Sequence, residues 1–420
     1  MKKIIKKELL QKEIHLFDLP LNELHIELKD DYRNKVFITC LEKYKTWRNF
    51  ARILKENIRN VIRWKNGTRN PPINVLFKIV NLGISTQEDM ENNIYKIKKC
   101  GGFIKNPKFP IIINGDLAQI IAAVFCDGGI TKDYGVHYTN KDIKLISSFK
   151  ESIQKVFGDV HLISEYIRKE VQIYQILYSG VLGIILNKIF EVPKRSKITM
   201  DTPIPSTIMN GNKAVLKSFI KRCFDDEGWV NNSIGLGRSI MSEKLKSREG
   251  PIFLQDLKYL LENKFKIKTY GPRLTRRRNY MTRDRNIQIE DYELKIYDRK
   301  SLELFYKKIG FDSESKKQKL REKLNSYKVW NTRKGDSLNF FLRKATNFIL
   351  EEGKPFSAYD LSCLTKRNLA RATWAITKLK KENLIILVDY KRDRINRKTV
   401  PLYTLDNRGL SLIFSVESFN

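Results

Sequence analysis

Two short segments of the chain, IIAAVFCDGGI at 120–130 and IKRCFDDEGWV at 220–230, each carry an apolar helical stretch into an acid and then a glycine. Their acids, Asp127 and Glu227, stand 100 positions apart. Repetition at that period implies a duplicated domain with pseudo-twofold symmetry, since solenoid repeats are much shorter. Two helices packed side by side, with small residues such as Ala122 and Ala123 at the contact, bring their ends together, so each can deliver one carboxylate to a shared site. The glycine after each acid is expected to stop the helix and let the chain turn into a strand. Two nearby carboxylates repel, and a divalent cation resolves that repulsion while binding phosphate oxygens. Such a cation can activate water against a phosphodiester. Taken alone, either segment also reads as a turn after a buried helix. Asp225 and Asp226 read as a solvated helix end, with orientation of a metal-bound water as the alternative.

The surroundings of the two segments repeat as well. After the first come GVHYTN as a strand, DIKLISSFKESIQKVFG as an amphipathic helix, and EYIRKE and VQIYQILYS as strands. After the second come WVNNSIGLG, the helix PIFLQDLKYLLENKF, and the basic strand pair within TYGPRLTRRRNYMTRDRNIQIEDYELKIYD.

The charge balance names the kind of partner. Lys and Arg number 80 against 47 Asp and Glu, a net charge of +33 over 420 residues, which calls for a polyanion. Nucleic acid fits better than an anionic membrane, because the basic residues are spread through folded segments and not gathered in one amphipathic helix. The most apolar run, 109–125, is interrupted by Asn114, Gly115, Asp116 and Gln119, so no membrane span is expected. The opening MKKIIKKELLQKE lacks the apolar core of a secretory signal, and an intracellular location, cytoplasmic or nucleoid-associated, is expected. Five scattered cysteines without a CxxC pair, and four histidines, argue against zinc and structural disulfides.

Helical modules flank the repeats. Within a 1–100 module, the 46–83 core places Trp47, Phe50, Ala51 and Leu54, then Ile58, Val61 and Ile62, at helical spacing before a Gly67 break and a proline pair. This is the layout of a helix-turn-helix whose second helix would present Arg59, Arg63 and Lys65 to a major groove. A small bundle with a solvated basic face has the same pattern. In the 336–420 segment, three helical stretches precede the β-rich runs LIILVDY and VPLYTL, the order of a winged helix. Its recognition helix would carry Lys366, Arg367, Arg371 and Lys378 opposite a buried stripe of Leu369, Ala372, Ile376 and Leu379, with a wing at 391–398.

The segments IIAAVFCDG and IKRCFDDEG resemble the two motifs of monomeric LAGLIDADG homing endonucleases, and the likeness extends over roughly 110–311, including VHYTNKDIKLISSFKESIQKVFG and KRSKITMDTPIP. The resemblance implies an α+β fold of two αββαββα repeats, 110–211 and 212–330, forming a saddle on double-stranded DNA. It implies that Asp127 and Glu227 ligate Mg²⁺ or Mn²⁺, and that a basic residue near them, Lys197 or else Lys194, polarises water or the scissile phosphate. Base readout would then fall to Arg168, Lys169, Gln172, Tyr174 and Gln175 in the first sheet and to Arg273, Arg276, Arg277, Arg278, Arg283 and Arg285 in the second. The sequence departs from the pattern at Arg222, where the family favours a small residue, and at Phe125, where an acid is common. Arg222 is expected either to snorkel out of the helix contact or to spread it. The function implied is a monomeric, metal-dependent, site-specific DNA endonuclease. Its alternatives are a DNA-binding regulator that has lost cleavage, and a maturase acting on intron RNA.

Overall fold

Each motif helix begins at an asparagine that caps it. Asn114 accepts from the backbone of Leu117 at 3.0 Å, opening Gly115–Phe125, and Asn212 accepts from Ala214 and Val215, opening Lys213–Asp226. The computed structural model describes residues 13–168, 172–194, 197–281, 286–326, 337–392 and 399–408. It divides into two units, Met1–Leu324 and Asn325–Asn420, and is mixed α/β with several antiparallel sheets.

The two motif helices pack against each other along their length. Ala122, Ala123, Phe219 and Cys223 are buried, and Gly115 lies so close to Ser218 that a Cβ would come within 2.7 Å of its Oγ. After each helix the same topology follows. Strands Gly128–Ile130, Val136–Asn140, Leu162–Arg168 and Ile173–Tyr178 form one antiparallel sheet in the order first, second, fourth, third. Strands Gly228–Val230, Ile234–Met241, Tyr270–Met281 and Asn286–Ile296 form the other in the same order. A helix joins the second and third strands in both, Ile143–Phe157 and Ile252–Tyr259, the latter continuing as a π-turn over Leu260–Lys264. A closing helix follows, Gly180–Lys188 and Arg299–Lys308. The period-2 burial of Ile234–Met241 and the 3.6-period apolar face of Ile143–Phe157 explain why these segments take up strand and helix.

Past the end of each motif helix the glycine opens a strand. Neither Gly128 nor Gly228 takes up a left-handed φ; each instead starts a strand pressed against its own helix. A Cβ on Gly128 would lie 2.6 Å from the His137 carbonyl and 2.9 Å from Val124 Cα, and one on Gly228 would lie 2.5 Å from the Phe224 carbonyl. Backbone proximity is what requires glycine here. Gly128→Ala is therefore expected to cost about 1–3 kcal/mol through overpacking against immovable backbone, measured as a lower urea midpoint.

In the N-terminal part, helices Trp47–Leu54, Ile58–Lys65 and Ile73–Asn81 follow a longer helix, Asp30–Tyr44. Val61 and Trp64 point into this cluster, while Ile58 and Ile62 are exposed beside Arg59 and Arg63, so the buried face of the second helix lies one step round from the one expected. A four-stranded sheet of His25–Leu28, Ile94–Lys99, Gly102–Lys105 and Asp159–Val160 draws its last strand from the first repeat.

The Asn325–Asn420 unit has its own core, in which Phe341, Leu361, Ala372, Ala375, Ile376, Leu379 and Leu405 meet. Helices Leu338–Glu352, Ala358–Thr365 and Leu369–Lys381 precede the antiparallel pair Ile385–Arg392 and Thr399–Leu405. Ser357 and Asp360 form a reciprocal capping box on the second helix. Leu369 lies in the first turn of its helix and is 51% exposed, so Ala375 takes its place in the buried stripe. Residues 393–398, most of the expected wing, lie outside the described residues.

Candidate active site between the motif helices

The ends of the two packed helices bring Asp127 and Glu227 within electrostatic reach of each other. Burial raises the pKa of Asp127 first, and the negative charge of Glu227 raises it further, against the opposing pull of Lys197, Lys316 and Arg222. Each acid receives a donor from the second strand of its own repeat. Asn140 Nδ2 donates to Asp127 Oδ2 at 3.0 Å, and Arg238 Nη1 donates to Glu227 Oε1 at 3.3 Å. These two donors are symmetry counterparts. Gly128 pairs with Tyr138 and Gly228 with Leu236, and Asn140 and Arg238 each stand two residues further along. Neither figured among the sequence candidates, because the correspondence exists only once strand register is known.

Lys197 Nζ lies 4.0 Å from Glu227 Oε1. Burial lowers its pKa, while Glu227, Cys126 and Asp127 hold the proton on. Lys194 instead lies over the Tyr134 ring at 3.8 Å. A counterpart to Lys197 comes from the end of the second repeat. Lys197 follows the Gly180–Lys188 helix by nine residues, and Lys316 follows the Arg299–Lys308 helix by eight. Lys316 donates to the carbonyls of Phe224 and Asp225, and its pKa is lowered by burial against the pull of Asp225, Asp226 and Asp127. The shared signal in the sequence is a lysine at matching distance past each closing helix.

Arg222 neither snorkels nor spreads the helices. It is 1% exposed, its Nε donates to Asp226 Oδ2 at 3.2 Å, its Nη2 donates to the Leu145 carbonyl at 3.0 Å, and its guanidinium lies 4.9 Å from the Tyr138 ring centre. Asp226 also accepts from Tyr138 Oη at 2.8 Å and Asn140 Nδ2 at 3.2 Å. Its side chain is fully buried, and burial, opposed by Arg222, pushes its pKa up to about 7. Asp225 is buried too, accepting from the backbone of Asp312 and Ser313 at the start of the Glu314–Ser326 helix. The expectation of a solvated acidic helix end is therefore corrected: both acids organise the interior. Phe125 is buried against Phe253, with ring centres 5.1 Å apart.

The sheets carry the other predicted residues. In the first, Arg168 and Gln172 are exposed, Tyr174 is half-buried, and Gln175 Oε1 accepts from Tyr166 Oη. In the second, Arg273, Arg276, Arg277 and Arg278 are all exposed. Arg277 pairs with Glu290 at 2.9 Å and Arg278 with Asp291 at 2.6 Å across the strand pair, which fixes their direction. Lys169, Arg283 and Arg285 lie outside the described residues. In the Asn325–Asn420 unit, Arg371 stacks 3.8 Å over the Trp374 ring centre, and Arg367 lies 5.5 Å over that of Phe340.

Two open clefts share Lys197. One, of about 650 Å³, is lined by Thr131, Lys132, His137, Lys194 and Lys197. The other, of about 580 Å³, includes Glu227, Trp229, Arg238, Arg276 and Arg278. No group of three or more His, Cys, Asp and Glu side chains poised for a metal is present among the described residues. No helix among them is long and apolar enough to cross a membrane.

No protein-family model matches the chain. Among curated proteins it is similar to glutamine--fructose-6-phosphate aminotransferase [isomerizing] of Methanocaldococcus jannaschii, at 25% identity over 232 residues, 54% of this chain and 19% of that protein. The chain thus spans about a fifth of the length of the curated relative it matches. Among solved structures it is similar to I-DmoI in complex with DNA and Mn, with TM-score 0.31 and 16% identity over 47% of this chain and 97% of that one. It is similar to the N-terminal LAGLIDADG domain of DUF199/WhiA, with TM-score 0.29 and 12% identity over 50% of this chain and 89% of that one. The homing endonuclease I-WcaI bound to its DNA recognition sequence matches with TM-score 0.29 and 14% identity over 49% of this chain and 85% of that one.

Proposed function

We propose that this chain is a site-specific endonuclease for double-stranded DNA, with Asp127 and Glu227 as the two metal-holding acids. The observation that carries the reading is Glu227 Oε2, a buried acceptor without a hydrogen-bond partner among the described residues, at the end of a helix packed against the one that leads to Asp127. A buried carboxylate oxygen left open beside a second carboxylate suits a divalent cation. Mg²⁺ is commonly held by one or two carboxylates, with waters and phosphate oxygens completing its shell, so this donor set fits it. When bound, the cation would activate water and offset charge on the scissile phosphate. The chain's own residues do the rest. Asn140 and Arg238 orient the two acids, Lys197 supplies positive charge beside them, and the exposed arginines of Tyr270–Met281 offer phosphate and base contacts.

Arg59 and Arg63 on Ile58–Lys65 would bind DNA as part of a helix-turn-helix-like module, and, within the Asn325–Asn420 unit, Arg371 on Leu369–Lys381 and Arg367 just before it as part of a winged-helix-like one. A second reading, a DNA-binding protein without cleavage, is favoured by Arg238, whose guanidinium offsets the charge of Glu227 without any metal. Incubating the purified protein with a randomised duplex library, with Mg²⁺ or with a chelator, tests both. Mg²⁺-dependent cutting at a recurrent sequence supports the nuclease. Recurrent-site binding without cutting overturns it in favour of the second reading.

A further inference from the structure

The two halves flanking the acids are pseudo-symmetric in backbone and opposite in chemistry. Gly129 pairs with His137 in the first sheet, and at the equivalent place Trp229 pairs with Gly235 in the second. In each pair a ring covers a glycine. His137 Nε2 lies 2.7 Å from where a Gly129 Cβ would be, and the Trp229 indole lies 2.4 Å from where a Gly235 Cβ would be. The ring has changed strands between the repeats and changed from an imidazole to an indole.

The surrounding charge differs in the same sense. The cleft holding His137 is lined by Lys132, Lys194 and Lys197 and by no Asp or Glu among the described residues. The cleft holding Trp229 mixes Lys197, Arg238, Arg276 and Arg278 with Glu227, Asp291 and Glu293, and Arg278 is already paired with Asp291. In the first cleft a phosphate meets Lys132 and Lys194, with Lys197 shared with Glu227, and a proton acceptor. In the second it meets partly neutralised arginines and an indole, which accepts no proton.

On the nuclease reading above, we propose that His137 accepts the proton of the attacking water for one DNA strand only, so that the two strands are cut in sequence through a nicked intermediate. In that step the water oxygen forms a bond to phosphorus and one phosphorus–ester oxygen bond breaks. The water's proton passes to an imidazole nitrogen and on to solvent, and the leaving oxygen takes a proton from solvent water. The three lysines lining the cleft and the Leu177 opposite on Ile173–Tyr178 are the groups around the ring. Burial and Lys197 lower its pKa below 6.5, which keeps the ring neutral and able to accept a proton at neutral pH.

The test uses the full chain, Mg²⁺ and the duplex recovered from the library, labelled separately on each strand. Wild type is expected to accumulate duplex nicked always on the same strand, with the rate on that strand falling in acid at a midpoint lower than that of a free imidazole. His137→Gln is expected to slow that strand by about tenfold or more and to abolish its acid limb, with the other strand's rate unchanged. Unchanged affinity for the duplex in chelator serves as the check on folding. Equal rates on both strands of wild type, or equal slowing of both strands by His137→Gln with the pH profile intact, overturns the inference and leaves the nuclease reading standing. Absence of any Mg²⁺-dependent cutting by wild type overturns the nuclease reading itself.

Discussion

Arg222→Ala is expected to destabilise the Met1–Leu324 unit by about 3–5 kcal/mol, because it strips the partner from a fully buried carboxylate and leaves a space the size of a guanidinium. Asp226 would keep its bonds from Tyr138 and Asn140 but lose the only cation shown bonded to it among the described residues. The first motif shows how the position is filled without charge, since Ala122 and Cys126 stand where the second motif has Arg222 and Asp226. Arg222→Ala combined with Asp226→Cys should therefore recover most of the loss. Urea unfolding in chelator, read on the transition of this unit, checks both. A single variant within about 1 kcal/mol of wild type would show that the pair contributes little.

The same pair sets a pH dependence whose direction is opposite to that of an ordinary salt-bridged acid. The folded pKa of Asp226 lies near 7 against 3.8 for an exposed aspartate. Between those values the folded chain holds a proton that the unfolded chain has released, so this group's contribution to stability falls as pH rises from about 4 to 7 and levels off above. Removing the Arg222 guanidinium drives the folded pKa further up and extends the falling limb past 7. In the double variant with Asp226→Cys the limb should vanish. An unfolding midpoint that rises across the same interval in wild type would contradict the burial of Asp226.

What the sequence discloses here follows from what is periodic in it. The repeated acid–glycine ends, the amphipathic helices after each first hairpin and the strand pair rich in arginine are local patterns, and each element is found close to where its pattern placed it. The properties that escaped are those set by register and burial. Arg222 looks like an intruder in a helix contact until Asp226, Tyr138 and the Leu145 carbonyl are seen to receive it. Asp225 looks solvated because its partners, the amides of Asp312 and Ser313, lie about ninety residues away. Asn140 and Arg238 have unrelated side chains and become equivalent only through their strand pairing. Why Gly128 and Gly228 must be glycine also escaped, because local sequence does not reveal how closely a returning strand approaches.

Asp127→Asn and Glu227→Gln should each lower Mg²⁺-dependent cutting by about 10³-fold, or about 4 kcal/mol of barrier, since each replaces a proposed metal ligand by a neutral amide of nearly the same shape. Binding should move the other way. Glu227 lines one of the two clefts and Asp127 precedes Gly128 of the other, so in chelator, removing either negative charge is expected to leave duplex affinity unchanged or to raise it. Stability separates Asp127 further. Burial and Glu227 raise its pKa, which means its charged form is held at a cost in the metal-free fold. The amide removes that cost, and Asp127→Asn should unfold at higher urea than wild type in chelator at pH 8. An acid retained for structural bonding alone would show the reverse, a variant that is less stable and equally active. Finding Asp127→Asn inactive, tighter-binding and more stable at once would place the cost of the paired carboxylates in chemistry and not in folding.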